Sequence, residues 1–127
     1  MRRFGERQDE RGLSSSVQYA VLTPVLMLVV IGIIQVGVWF HGRNVAMQAA
    51  ELAADQMRGR GADVGAAQAA AQRVTTVGGL REVSIQIDRG ATQVQVSVSA
   101  AAPTLVDLRL PRIEQRAAAP VERVTRP

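Results

Sequence analysis

The feature that most limits what this chain can fold into is an uncharged run at residues 13–40, LSSSVQYAVLTPVLMLVVIGIIQVGVWF. It holds 28 residues without a charge, with Arg11 before it and His41 and Arg43 behind it. As a helix it extends about 42 Å, against roughly 30 Å for the hydrocarbon core of a bilayer. A helix apolar on every side would need protein all around it in a soluble fold, and the remainder of the 127 residues offers mostly small, alanine-rich surface. The run therefore reads as a membrane span with turns to spare. Mean hydropathy over the whole chain is only +0.07, so the apolar character is concentrated in one anchor carrying a polar remainder.

Composition removes several classes of function. The net charge is +4 and all 15 basic residues are arginine, but 11 acids are interspersed among them, so no long basic tract is available to follow a phosphate backbone. Phe4, Tyr19, Trp39 and Phe40 all lie in or before the anchor, away from most arginines, and nucleic-acid binding is not expected. Cysteine is absent, which excludes disulfides and thiolate metal sites, and the single histidine, His41, has no acidic cluster near it. No metal or other cofactor is expected. The serines at 14–16 lack a histidine in a plausible catalytic context, Glu51 and Asp55 at i and i+4 read as solvated helix surface, and no glycine loop could cradle a phosphate. No catalytic residue and no enzyme activity are expected. Arg109, Arg112, Arg116, Arg123 and Arg126 form a basic series read as a solvated face, with docking to an acidic partner or anionic surface as the alternative.

Four organisational segments follow. Residues 1–12 are a polar leader expected to be disordered and cytoplasmic. Four arginines lie in it, against Arg43 alone just behind the span, so the N-terminus should stay in the cytoplasm and the C-terminal part should lie outside. Residues 13–40 are the transmembrane helix, too long for a signal-peptide core and expected to be retained. Inside it, Ser14, Ser15 and Ser16 can cap the helix or satisfy backbone groups near the interface, and Pro24 should bend the helix. Gly32 and Gly37 leave bare backbone for a neighbouring helix, and Tyr19 and Trp39 suit the two interfaces. Gln35 should seek a partner on another helix, whereas for Gln18 such a contact and simple interfacial placement are equally compatible with the sequence. The candidate helix–helix contacts are thus Gln18, Tyr19, Pro24, Gly32, Gln35 and Gly37.

Residues 41–58 continue the helix outside the membrane, with Val45, Ala49, Leu52, Ala53, Gln56 and Met57 recurring at helical spacing, until GRG at 59–61 ends it. Residues 59–127 make a small external α+β domain. The alanine-rich stretch 62–77 reads as a short second helix stopped by Gly78 and Gly79. Strict alternation at 81–88 and 91–100, joined by a DRGA link, predicts a hairpin whose apolar face carries Val83, Ile85, Ile87, Val94, Val96 and Val98. LVDLRL at 105–110 also alternates, and residues 112–127 can add a third strand, since two strands alone are marginal. The predicted fold class is α+β: a long N-terminal transmembrane helix, a short second helix and a small antiparallel sheet of about three strands.

The passage ERGLSSSVQYAVLTPVLMLVVIGIIQVGVWFHGRNVAMQAAELAA resembles the TadE-like family of pilin-like proteins, minor pseudopilins of tight-adherence or Flp-type pilus systems. The resemblance rests on the RG before the apolar run, on Val17, Gln18 and Tyr19 at its start, on the proline in LTPVL, on GIIQVG and on the alanine-rich helix that follows, with APVERV similar to the family's ending. It implies insertion in the bacterial cytoplasmic membrane and cutting by a prepilin peptidase between Gly12 and Leu13. It also implies partners among other pilins or pseudopilins and pilus-assembly membrane proteins, with self-association among the possibilities. Gln18 stands where the family has an acid, six residues beyond Gly12 where five are expected. An unprocessed single-pass scaffold or assembly factor is therefore the alternative.

Overall fold

The computed structural model describes residues 6–59, 61–105 and 109–121, with side-chain surroundings from residue 11 onward. Expectations for the first five leader residues, for Arg123 and Arg126, for the middle of LVDLRL and for the last three residues of APVERV lie outside the described residues. The elements are α1 (Glu6–Gln56), α2 (Val64–Val77), β1 (Arg81–Arg89), β2 (Gln93–Ala101) and β3 (Ile113–Pro120). This is the α+β arrangement expected from the sequence, with one three-stranded antiparallel sheet in the order β1-β2-β3.

Two expectations about the start of the helix are corrected. The leader is helical from Glu6 onward, because Glu, Arg and Gln are good helix formers and can prolong a helix already nucleated by the apolar run. The serines at 14–16 consequently lie inside α1 and cap nothing. The helix continues through Pro24 as a single element, although the missing N–H removes one backbone hydrogen bond there.

Beyond residue 40 the helix acquires a buried face. Val45, Ala46, Ala49, Ala50, Ala53, Ala54 and Met57 are all buried, while Leu52 and Gln56, expected on the same stripe, are exposed. The stripe is shifted because α1 is covered from two sides, by α2 on one and by β2 and β3 on the other. Two adjacent lanes of alanine serve two neighbours, and a single lane through Leu52 would have served one. The helix ends as Met57 N–H donates to the carbonyls of Ala53 and Ala54 at 3.1 and 3.2 Å, and Gly61 takes a left-handed φ of 70° in the turn that follows.

α2 starts at Asp63, whose Oδ1 accepts from the Gly65 N–H at 2.9 Å. It runs back along α1, burying Ala67, Ala70, Ala71 and Thr75. At its end Leu80 N–H donates to Thr75 O at 3.0 Å and Gly79 N–H to Thr76 O at 3.1 Å. Gly79 has φ 80°, so this is a Schellman ending in which glycine supplies the left-handed residue. Gly78 is needed for another reason. A Cβ placed on it would strike the side chain of Val45, so the end of α2 lies directly on α1.

The sheet presents its apolar face to both helices. Val94, Val96, Val98 and Ala100 of the central strand are fully buried, flanked by half-buried Val83, Ile85 and Ile87 on β1 and by Ile113, Ala117 and Ala119 on β3. On the outer face Arg112 ties the strands together. It donates to the Glu82 carbonyl at 2.9 Å and to Ser99 Oγ at 3.2 Å, and pairs with the Glu82 carboxylate at 3.1 Å. Glu82 itself has φ 50°, at the register shift between Arg81 and Ser84. Arg112 is thus a clamp on a β-bulge and not simply part of a solvated basic face. The LVDLRL alternation does not make a strand among its described residues, Leu105, Arg109 and Leu110. It belongs to the connection from β2 to β3.

The contact between Gly78 and Val45 yields a test. Gly78 has φ −72°, where alanine suffers no backbone strain, so Gly78→Ala should act purely by overpacking and lower stability by about 1–3 kcal/mol. The pair Val45→Ala with Gly78→Ala should recover stability relative to Gly78→Ala alone, read from thermal unfolding by circular dichroism in detergent.

Candidate functional site

The long apolar part of α1 and the α+β domain meet at one stripe of the helix. Gln35, Trp39, Gly42 and Ala46 follow one another by four, three and four residues, which keeps them on one face of a helix. Gln35 is fully buried, and its amide is used at both ends. Its Nε2 donates to Pro103 O at 3.0 Å, and its Oε1 accepts from Leu105 N–H at 2.7 Å. One turn further, Trp39 Nε1 donates to Pro111 O at 2.9 Å. At Gly42 a Cβ would lie 2.9 Å from both Ile113 Cδ1 and Leu80 Cδ2, so a side chain there would have to push the tips of these two residues aside. The β2–β3 connection therefore hangs below the sheet along α1, descending about 10 Å from the level of Gly42 to that of Gln35.

This redraws the span. Every residue from 11 to 30 is exposed, including Leu13, Val17, Tyr19, Leu26 and Leu28, whereas the protein begins to cover the helix at Ile31 and Gly32 and closes over it at Gln35. The uncovered apolar length is residues 13–34, about 33 Å as a helix, close to the bilayer core. The turns to spare in the 13–40 run all lie at one end, where they hold the domain. Among the described residues one helix, within Arg11–Gln56, is long and apolar enough to cross a membrane.

Each residue singled out in the sequence has a definite place. Gly12 and Leu13 are exposed inside α1, with nothing within 4 Å of a Cβ on Gly12. Gln18, Tyr19 and Pro24 are exposed on the uncovered helix, and Gly32 and Gly37 have open space where a side chain would stand. These residues remain open to a neighbour. Gln35 does not: the partner expected on another helix is supplied by the chain's own connection at 103–105. Gly42 and Gly78 were not singled out as functional positions, and Arg112 was named only as one of a basic series, not as a clamp on β1. A signal for Gly42 was present, since it lies seven residues after Gln35 and so on the same stripe.

Removing the amide at position 35 should be felt locally. Gln35→Leu leaves the Leu105 N–H and the Pro103 carbonyl without their partner, a cost of about 1–3 kcal/mol. Hydrogen exchange measured by mass spectrometry should show faster exchange at 103–105, with protection in the centre of β2 largely retained.

Comparison with known proteins adds one match. The family model described as TadE-like protein matches residues 14–55, the stretch that contains the exposed helix, Gln35, Trp39, Gly42 and most of the buried alanine face. The match covers about a third of the chain, so the likeness read in the APVERV ending falls outside it. No curated protein and no solved structure matches the chain. Over these residues, which hold the long apolar helix and the helix face that carries the sheet, the chain is similar to the TadE-like family.

Proposed function

We propose that the chain is a pilin-like, or pseudopilin, structural or assembly component of a tight-adherence type pilus or related secretion apparatus. The similarity of residues 14–55 to the TadE-like family suggests a role in tight-adherence pilus systems. The observation that carries the finer reading is the division of α1: its first half is apolar and uncovered, and its second half is the spine of a small α/β domain. Such a subunit can be held in a bilayer or in a bundle of like helices by one half, while the other presents a folded domain.

In this reading the protein sits in the bacterial cytoplasmic membrane with its N-terminus in the cytoplasm and the sheet outside. Prepilin peptidase cuts between Gly12 and Leu13. The partners are other pilins or pseudopilins, pilus-assembly membrane proteins and the lipid bilayer, and the role is structural, without catalysis or a cofactor. A second reading, an unprocessed membrane scaffold, is favoured by two observations. Gln18 cannot supply the negative charge that would pair with a freed amino group, and Gly12 lies within a continuous helix that would have to unwind to enter a protease cleft.

Mass spectrometry of the protein extracted from membranes of cells that carry a prepilin peptidase separates the two. The expected product begins at Leu13 and lacks the four leader arginines. A chain intact to Met1 would overturn maturation and leave the scaffold reading.

A further inference from the structure

The connection at 103–105 and 111 lies beside the last turn of the apolar span, and its chemistry is unusual for a loop in water. Leu105 is 65% exposed, yet its N–H is bonded to Gln35. Pro103 and Pro111 have no N–H to satisfy, and their carbonyls accept from Gln35 and from Trp39. In the hydrocarbon of a bilayer an unpaired backbone group costs several kcal/mol, and irregular chain is tolerated beside it only where its polar groups find partners in the protein, as the Pro103, Leu105 and Pro111 groups do here.

We propose that this connection is a lipid-contacting foot, with the Leu105 side chain seated at the boundary between headgroups and acyl chains. The inference rests on the reading of residues 13–34 as a bilayer span. The bilayer is the occupant because the surface is continuous with that span: Ile33 and Ile34, exposed on the helix, directly precede Gln35, and Val36 and Phe40 continue the exposed apolar side at the same level. Arg43, also exposed, follows Phe40 by three residues, a position from which a long basic side chain can reach headgroup phosphates. The foot fixes the height and tilt of the domain above the membrane, since Gln35 and Trp39 join it rigidly to the helix.

The absence of cysteine makes the test direct. Single-cysteine chains carrying Leu105→Cys, Ile33→Cys or Gln95→Cys are spin-labelled and reconstituted at full length in vesicles of phosphatidylethanolamine and phosphatidylglycerol. Accessibility to oxygen and to a water-soluble nickel chelate is then compared. All three side chains are exposed, so the substitutions leave the core intact. The foot predicts a label at 105 that is oxygen-accessible and shielded from nickel, like the one at 33 and opposite to the one at 95. A nickel-accessible label at 105 with a lipid-exposed label at 33 overturns the foot and keeps the span. Nickel access at both positions overturns the span and the foot together. A label at 105 shielded from both reagents marks a protein neighbour and overturns lipid contact.

Discussion

The two-ended hydrogen bonding of the Gln35 amide is the interaction on which the rest of the arrangement depends. It uses one donor and one acceptor on a single helix turn to hold one acceptor and one donor on the connection. An amide is well matched to that task, because it can satisfy both without introducing a charge next to lipid. Its position decides where the uncovered helix stops. Were the same pair of bonds made seven residues later, the uncovered length would grow by about 10 Å, more than the bilayer core accommodates without tilting.

Above that point the fold is governed by how closely elements approach. Glycine or alanine occupies most of the buried face of α1, and glycine stands at two close contacts, Gly42 under Ile113 and Leu80, and Gly78 against Val45. Small residues bury little area each, so they contribute less by transfer than the valines of β2. They allow the sheet to lie against the helix backbone, where many weak contacts accumulate. A domain this size has little core to spare, and using the extension of the anchor as one wall provides a surface that the chain would otherwise have had to build. Arg112 secures the other side, holding the bulged β1 to β2 across the outer face.

Much of this was legible in the sequence, for identifiable reasons. The uncharged run, the switch from helical to twofold period after Gly79, and the alternation of Val94, Val96 and Val98 are local patterns, and the helices and the hairpin came out as read. Other features depend on partners distant in the chain. Whether Gln35 meets a neighbouring helix or its own chain is decided 68 and 70 residues away, at Pro103 and Leu105. Leu52 matched the expected period but faces solvent, because the period cannot say how many neighbours a helix has. LVDLRL alternates like a strand, yet the described parts of it serve as a connection, and Arg112 looked like one of a row of surface charges until the strand order placed it opposite Glu82. The leader was read as disordered from its polarity alone, which ignored how readily an existing helix propagates into good helix formers.

The uncovered half of α1 bears on how a subunit of the proposed kind could leave the membrane. Lipid tails are as apolar as leucine and valine, so exchanging lipid for other helices changes the hydrophobic term little in either direction. A long apolar surface can therefore move between a bilayer and a helical bundle without a large barrier from its own side chains. What decides between the two environments must come from the few groups that distinguish protein from lipid. On the described part of that surface these are Ser14, Ser15, Ser16, Gln18 and Tyr19 toward the cytoplasmic end of the proposed orientation and Thr23 near the middle, together with the bare backbone at Gly32 and Gly37. Gln35 is not among them, because its amide is already committed to the domain. In a subunit of the proposed kind, recognition between helices would then rest on these polar side chains, on Pro24 and on the two glycines, with the apolar side chains between them adding little discrimination between protein and lipid.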